Sequence, residues 1–182
     1  MGKFGFILFI LFYFLFPDLS VGQENFAVKT FTTDQGLPHN HVFEIAQDQS
    51  GFLWIATWDG LSRWNGYEFR NYYHNPKDST SLLYFTAEQV LVDFANQVWI
   101  MSAGTGLSLY DRKNENFIRF LELEDEQSTD ITLDLENRLW LLFNHKIKKW
   151  NYQKKQFVLI DAGYENEGLT NEIFQFARFP LK

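Results

Sequence analysis

The residues of this chain that could do chemistry are a few histidines, some clustered acids and one tryptophan in a turn. His39 and His41 flank Asn40, and two imidazoles at i,i+2 could share a metal, but no third ligand is spaced to join them. The chain has no Cys, hence no thiolate nucleophile, and contains neither a Gly-x-Ser-x-Gly elbow nor a His-Glu-x-x-His zinc helix. Gly104-Thr105-Gly106 is too short for a phosphate loop and reads as a turn. Glu122, Glu124, Asp125 and Glu126 lack the ordered spacing of a calcium loop and read as a solvated segment. What remains is recognition. Trp58 falls in a turn after an apolar strand, where an exposed indole could stack on a sugar ring or pack on a neighbouring loop. The candidate ligand contacts are His39, Asn40, Trp58 and Arg63, with no catalytic residue, metal or cofactor assigned.

Those side chains must be placed by a repeat. Trp54, Trp99 and Trp140 are 45 and 41 residues apart, and each lies six residues after an aspartate: Asp48, Asp93 and Asp134. An aliphatic precedes each aspartate by three, at Ile45, Val90 and Ile131. An aromatic followed by Asp or Asn comes ten or eleven residues after each tryptophan: Trp64-Asn65, Tyr110-Asp111 and Trp150-Asn151. The fourth turn position holds Gly51, Asn96 and Asn137, residue types that tolerate positive φ, so the turn chemistry repeats where identity does not. Phe52 to Thr57 is apolar on both faces, the pattern of a strand sandwiched in a stack. Asp59-Gly60 and Asn65-Gly66 then turn the chain into two more strands. Four short strands in 40–45 residues make one propeller blade, which cannot cover both of its own faces. The fold class predicted is all-β, a propeller fragment of about three blades (40–73, 86–121, 128–160) with the start of another at 168–182. The repeated tryptophans read as core and the repeated aspartates as turn residues. Asn25 to Thr33 reads as an isolated strand ahead of the first blade.

The first 22 residues read as a signal peptide: Lys3, an uncharged apolar run from Phe4 to Phe16, and Ser20-Val21-Gly22 as a small-residue cleavage site. That run is shorter than the ~20 apolar residues of a spanning helix. Residues 23–182 are then the partial propeller. Export without cysteine fits a bacterial periplasm, with an uncleaved signal anchor as the other reading. A net charge of −7 without a basic stripe argues against nucleic acid as a partner of this part. Three blades and a fraction do not close a ring, so the expected partners are further blades of a longer parent protein, or self-association through apolar blade faces.

The segments Phe31-Thr32-Thr33-Asp34-Gln35-Gly36-Leu37-Pro38-His39-Asn40-His41-Val42 and Asp48-Gln49-Ser50-Gly51-Phe52-Leu53-Trp54-Ile55-Ala56-Thr57-Trp58-Asp59-Gly60-Leu61-Ser62-Arg63-Trp64-Asn65-Gly66 resemble the two-component regulator propeller repeats of hybrid sensor histidine kinases of Bacteroidetes type. Gly106-Leu107-Ser108-Leu109-Tyr110-Asp111 follows the pattern in the second blade, whereas Lys146-Ile147-Lys148-Lys149-Trp150-Asn151 has lost its glycine and leucine. The resemblance implies a periplasmic sensor reading a small molecule or oligosaccharide. Kinase activity would belong to parts of the parent outside this chain. The competing expectations are a fragment of a propeller-fold periplasmic lyase or hydrolase, and a non-catalytic interaction scaffold.

Overall fold

A computed structural model describes residues 28–102, 106–120, 128–143 and 146–160. The chain divides into Met1–Thr30 and Phe31–Lys182. The described residues of the first unit, 28–30, carry no regular structure. The signal peptide, the acidic cluster, Gly104 and Thr105 of the Gly104-Thr105-Gly106 turn, and the start of a fourth blade all lie outside the described residues.

The second unit contains three four-stranded antiparallel sheets, each a meander in sequence order. The first comprises β1 (Val42–Gln47), β2 (Leu53–Thr57), β3 (Gly60–Trp64) and β4 (Phe69–Tyr72). The second comprises β5 (Gln89–Val92), β6 (Val98–Ser102), β7 (Gly106–Asp111) and β8 (Asn116–Phe120). The third comprises β9 (Ser128–Leu133), β10 (Leu139–Phe143), β11 (Lys146–Asn151) and β12 (Gln156–Ile160). The register places Trp54 opposite Ala46 and Arg63, Trp99 opposite Leu91 and Leu109, and Trp140 opposite Thr132 and Lys149.

The aspartate of each repeat is more than a turn residue. Asp48 Oδ1 accepts from the N–H groups of Ser50 and Phe52 at 2.9 and 3.1 Å, closing the turn, while Oδ2 accepts from the Trp54 indole at 3.0 Å. Asp93 accepts from Ala95, Gln97 and the Trp99 indole, and Asp134 from Glu136, Arg138 and the Trp140 indole, each within 2.8–3.0 Å. The left-handed position sits where the sequence places it, at Gly51 (φ 88°), Asn96 (59°) and Asn137 (55°). A carboxylate thus clips turn and tryptophan together, satisfying an indole N–H that would be costly to bury unbonded.

The sheets stack by a repeated pairing of faces. Trp54, Ala56, Leu61 and Tyr72 on the first sheet pack against Val90, Val98, Ile100, Tyr110 and Phe117 on the second. At matching positions Trp99, Met101, Leu107 and Phe120 of the second sheet pack against Ile131, Leu139, Leu141, Trp150 and Phe157 of the third. Trp54 and Trp99 are 0% exposed; Trp140, on the outward face of the third sheet, is partly buried beside Leu142 and Ile147. On the first sheet the corresponding face, Ile45, Leu53, Ile55, Trp64 and Phe69, has no sheet against it among the described residues. Phe31 and Leu37 border it around a hollow of about 250 Å³. The inner strands are tied in the same manner: Glu44 accepts from Val90 N–H at 3.0 Å and Gln89 from Ile131 N–H at 3.2 Å, occupying strand-edge donors.

One expectation is corrected. The stretch ahead of the first sheet is not a strand where described: residues 28–32 carry no regular structure and Thr33–Gln35 form a 3-10 turn. Thr32 Oγ1 accepts from Asp34 N–H at 3.2 Å and Gln35 Oε1 accepts from Thr32 N–H at 2.8 Å, a capping box, and Gly36 ends the turn at φ 108°. Local side-chain bonds to the backbone outweigh the apolar content of the segment.

Candidate functional site

Antiparallel pairing sorts the connecting loops to two ends of the sheets. Val42 pairs with Thr57, so the segment entering β1 and the β2–β3 turn share one end, and the connection from β4 to β5 reaches the same end. There Trp58 N–H donates to His41 C=O at 3.1 Å, Thr86 Oγ1 donates to Trp58 C=O at 3.1 Å, and Ala87 N–H donates to Thr57 C=O at 3.1 Å. Three loops are stitched around one indole.

His39, Asn40 and Trp58 all sit at this end. His39 Nδ1 accepts from His41 N–H at 2.9 Å, so a neutral His39 carries its proton on Nε2. Asn40 Oδ1 accepts from Thr33 N–H at 2.8 Å, leaving its amide NH₂ at an exposed position. Trp58 is 51% exposed and stacks on Phe43, itself 37% exposed, with ring centroids 6.0 Å apart and an interplanar angle of 23°. His41 lies against both rings, at 4.6 Å from Phe43 and 6.0 Å from Trp58. Phe85, next to the Thr86 that holds Trp58, is also exposed and pairs with Tyr84 at 4.1 Å. The result is an open aromatic platform edged by imidazole and carboxamide donors, a surface that can stack on an apolar ring face and hydrogen-bond its rim. Sequence reasoning did not single out Phe43 or Phe85, and weighed His41 only as half of an imidazole pair with His39. The alternation of β1 marks one of its faces as open, but only the register shows which side chains join Trp58. Among the described residues no three His, Cys, Asp or Glu converge as metal ligands.

Arg63 is not with the other three. It pairs with Trp54, near the opposite end of the sheet. Its guanidinium lies 4.8 Å from the Phe52 ring centroid, donates to Tyr110 Oη at 3.1 Å and meets Glu115 at 3.4 Å. It bridges the first and second sheets. That end also holds the aspartate clips. Arg112, from the β7–β8 turn, reaches Asp48 Oδ2 of the preceding sheet at 3.0 Å and the Asn96 carbonyl at 2.9 and 3.1 Å. Burial favours the neutral acid at Asp48, but the bonds from Trp54, Arg112 and Phe52 outweigh it and lower its pKa.

Comparison with known proteins places these features. Residues 36–59 match the two-component regulator propeller family. Over 82 residues, 45% of this chain, the sequence is 43% identical to Histidine kinase P4 of Formosa agariphila, of which the match covers 6%. The structure is similar to the extracellular domain of a hybrid two-component system from B. thetaiotaomicron, at 26% identity and a TM-score of 0.60 over 71% of this chain and 19% of that one. A second such extracellular domain from the same organism shares the fold, at 19% identity and a TM-score of 0.56 over 76% of this chain and 19% of the other. The chain therefore spans about a fifth of those domains and a small part of the kinase. Residues 36–59 are thus similar to a two-component regulator propeller repeat, in a chain that folds as blades of a β-propeller.

Proposed function

We propose that this chain is part of the ligand-sensing propeller of a two-component signal-transduction sensor, working outside the cytoplasm and responding to an oligosaccharide. It carries no catalytic group of its own in this reading; phosphotransfer belongs to the remainder of a parent kinase, as does the membrane span. The observation that carries the reading is the exposed Trp58–Phe43 stack with His41 beside it, at the end of a blade whose repeat matches the sensor family. A monomeric globular surface has little reason to leave a stacked aromatic pair with a third ring against it open unless something lies on them. His39 Nε2 and the Asn40 amide are the polar partners for sugar hydroxyls, and Arg63 serves the blade junction.

Glycan-array binding by the complete ectodomain, compared with its Trp58→Ala variant, tests this. The substitution should weaken binding of the recognised glycan about tenfold, the loss expected for one aromatic stack. Binding that survives Trp58→Ala unchanged removes the platform from recognition.

A further inference from the structure

The two grooves between neighbouring blades are built from matching positions and filled differently. Between the first and second blades Arg63 lies over Phe52 and reaches Tyr110 Oη, and Arg63 and Arg70 both pair with Glu115. Two guanidinium groups and a carboxylate plug that groove. The strand registers give the corresponding positions one blade on: Leu109 for Arg63, Ile118 for Arg70, Trp150 for Tyr110, Lys155 for Glu115 and Gln97 for Phe52. Both arginines have become aliphatic and the acid has become a base, so no plug can form.

The consequence is an open cavity of about 530 Å³ between the second and third blades, lined by all five of these residues. Its size is that of an ordinary small-molecule site. Trp150 is only 3% exposed, and its indole Nε1 is buried with no acceptor among the described residues. Gln97 Oε1 is likewise buried and unbonded. Both side chains line the cavity, and a single hydroxyl group carries the acceptor that the indole lacks and the donor that the amide oxygen lacks. Leu109, Ile118 and Phe120 offer an apolar wall, and the rim carries Lys155, Arg112 and Asp111. Asp111 keeps its charge while it accepts from Lys113 N–H and Asn114 Nδ2, and Arg112 is already paired with Asp48, so among the described residues Lys155 is the rim cation without a carboxylate partner.

We propose that the groove between the second and third blades is a binding site for a hydroxylated carboxylate of sugar size, such as a uronic acid. The carboxylate meets Lys155 and a hydroxyl sits between Trp150 and Gln97. This site lies at the end of the blades away from Trp58 and does not depend on the platform there.

Calorimetric titration of D-glucuronate into the intact chain tests it, with D-glucose as the uncharged control. Glucuronate should bind at one site, and glucose about tenfold more weakly. Trp150→Phe should weaken glucuronate binding by about three- to tenfold, the loss of one hydrogen bond. Lys155→Gln should abolish the preference for glucuronate over glucose. Rebuilding the plug with Leu109→Arg, Ile118→Arg and Lys155→Glu should eliminate binding, whereas Trp58→Ala should leave it intact. No glucuronate binding by the intact chain would mean that the cavity holds only water and would overturn the proposal. Undiminished binding by the plugged variant would do the same. Should Trp150→Phe lose its near-ultraviolet circular dichroism, the Lys155→Gln comparison decides alone.

Discussion

Removing one aspartate clip should cost far more than removing an ordinary turn aspartate. Asp93 is 2% exposed and accepts from Ala95 and Gln97 N–H at 3.0 and 2.8 Å and from the Trp99 indole at 2.9 Å, with the Tyr152 hydroxyl also bonded to its carboxylate. In Asp93→Ala the two backbone donors lie near the surface and regain water, at a net loss of about 1 kcal/mol each. The indole cannot do so, because Trp99 is 0% exposed; leaving its donor unpaired adds roughly 1–3 kcal/mol. The expected destabilisation is therefore about 3–5 kcal/mol, a large share of the 5–15 kcal/mol that holds a domain together. Asp111 is the control, since it caps the exposed β7–β8 turn by accepting from Lys113 N–H and Asn114 but touches no indole. Asp111→Ala should cost about 1 kcal/mol. Urea unfolding followed by circular dichroism measures both. Equal costs for the two variants, or a cost below about 1 kcal/mol for Asp93→Ala, would refute the clip as a structural element.

Gly60 has φ 99°, and a Cβ there would collide with the Tyr72 carbonyl, whereas Gly51 has φ 88° with open space around it. Gly60→Ala should thus lower the urea midpoint clearly more than Gly51→Ala, which carries only the left-handed strain of about 1–2 kcal/mol. At Asp134 burial works to raise the pKa, but the bonds from the Trp140 indole, Arg138 and Glu136 N–H prevail and hold it at about 2, below the ordinary 3.8. A depressed folded-state pKa gives stability that is present above the unfolded value. Acid titration of unfolding should therefore show it eroding below about pH 4 and gone near pH 2, and Asp134→Asn should flatten that limb. Arg112→Ala breaks the bridge from the second blade to Asp48 and the bonds to Asn96, and should lower stability by about 2 kcal/mol. An unchanged melting curve would show that the blades do not depend on that latch.

The sheets were legible because their causes are local. Asp48, Gly51 and the apolar run to Thr57 specify turn and strand within ten residues, and the same chemistry returns at Asp93 and Asp134. The constant offset of six from aspartate to tryptophan was visible as well. Its meaning, a carboxylate bonding an indole, needed the turn to be closed before the two side chains could be seen to meet. Inter-blade contacts were out of reach, because the reach of Arg63 to Glu115 or Arg112 to Asp48 depends on how one sheet is set against the next, and spacing along one chain does not encode that angle. The platform was half legible: Trp58 follows from its turn, but Phe43 and His41 join it through the β1–β2 register. The 3-10 turn at Thr33–Gln35 has a local signal in Thr32 and Gln35 at capping-box spacing, which the apolar residues Phe26, Val28 and Phe31 obscured by suggesting a strand.

Proton exchange at the six tryptophan indoles probes the arrangement at its root, because the side chains range from buried and bonded to exposed. In a ¹⁵N-resolved spectrum of the intact chain in D₂O, the Trp54 and Trp99 indole protons, buried and bonded to Asp48 and Asp93, should persist longest. Trp140 should be intermediate, and Trp58 should vanish first. Loss of the Trp54 and Trp99 signals as fast as that of Trp58 would mean that the blades do not lie against one another and would contradict the account.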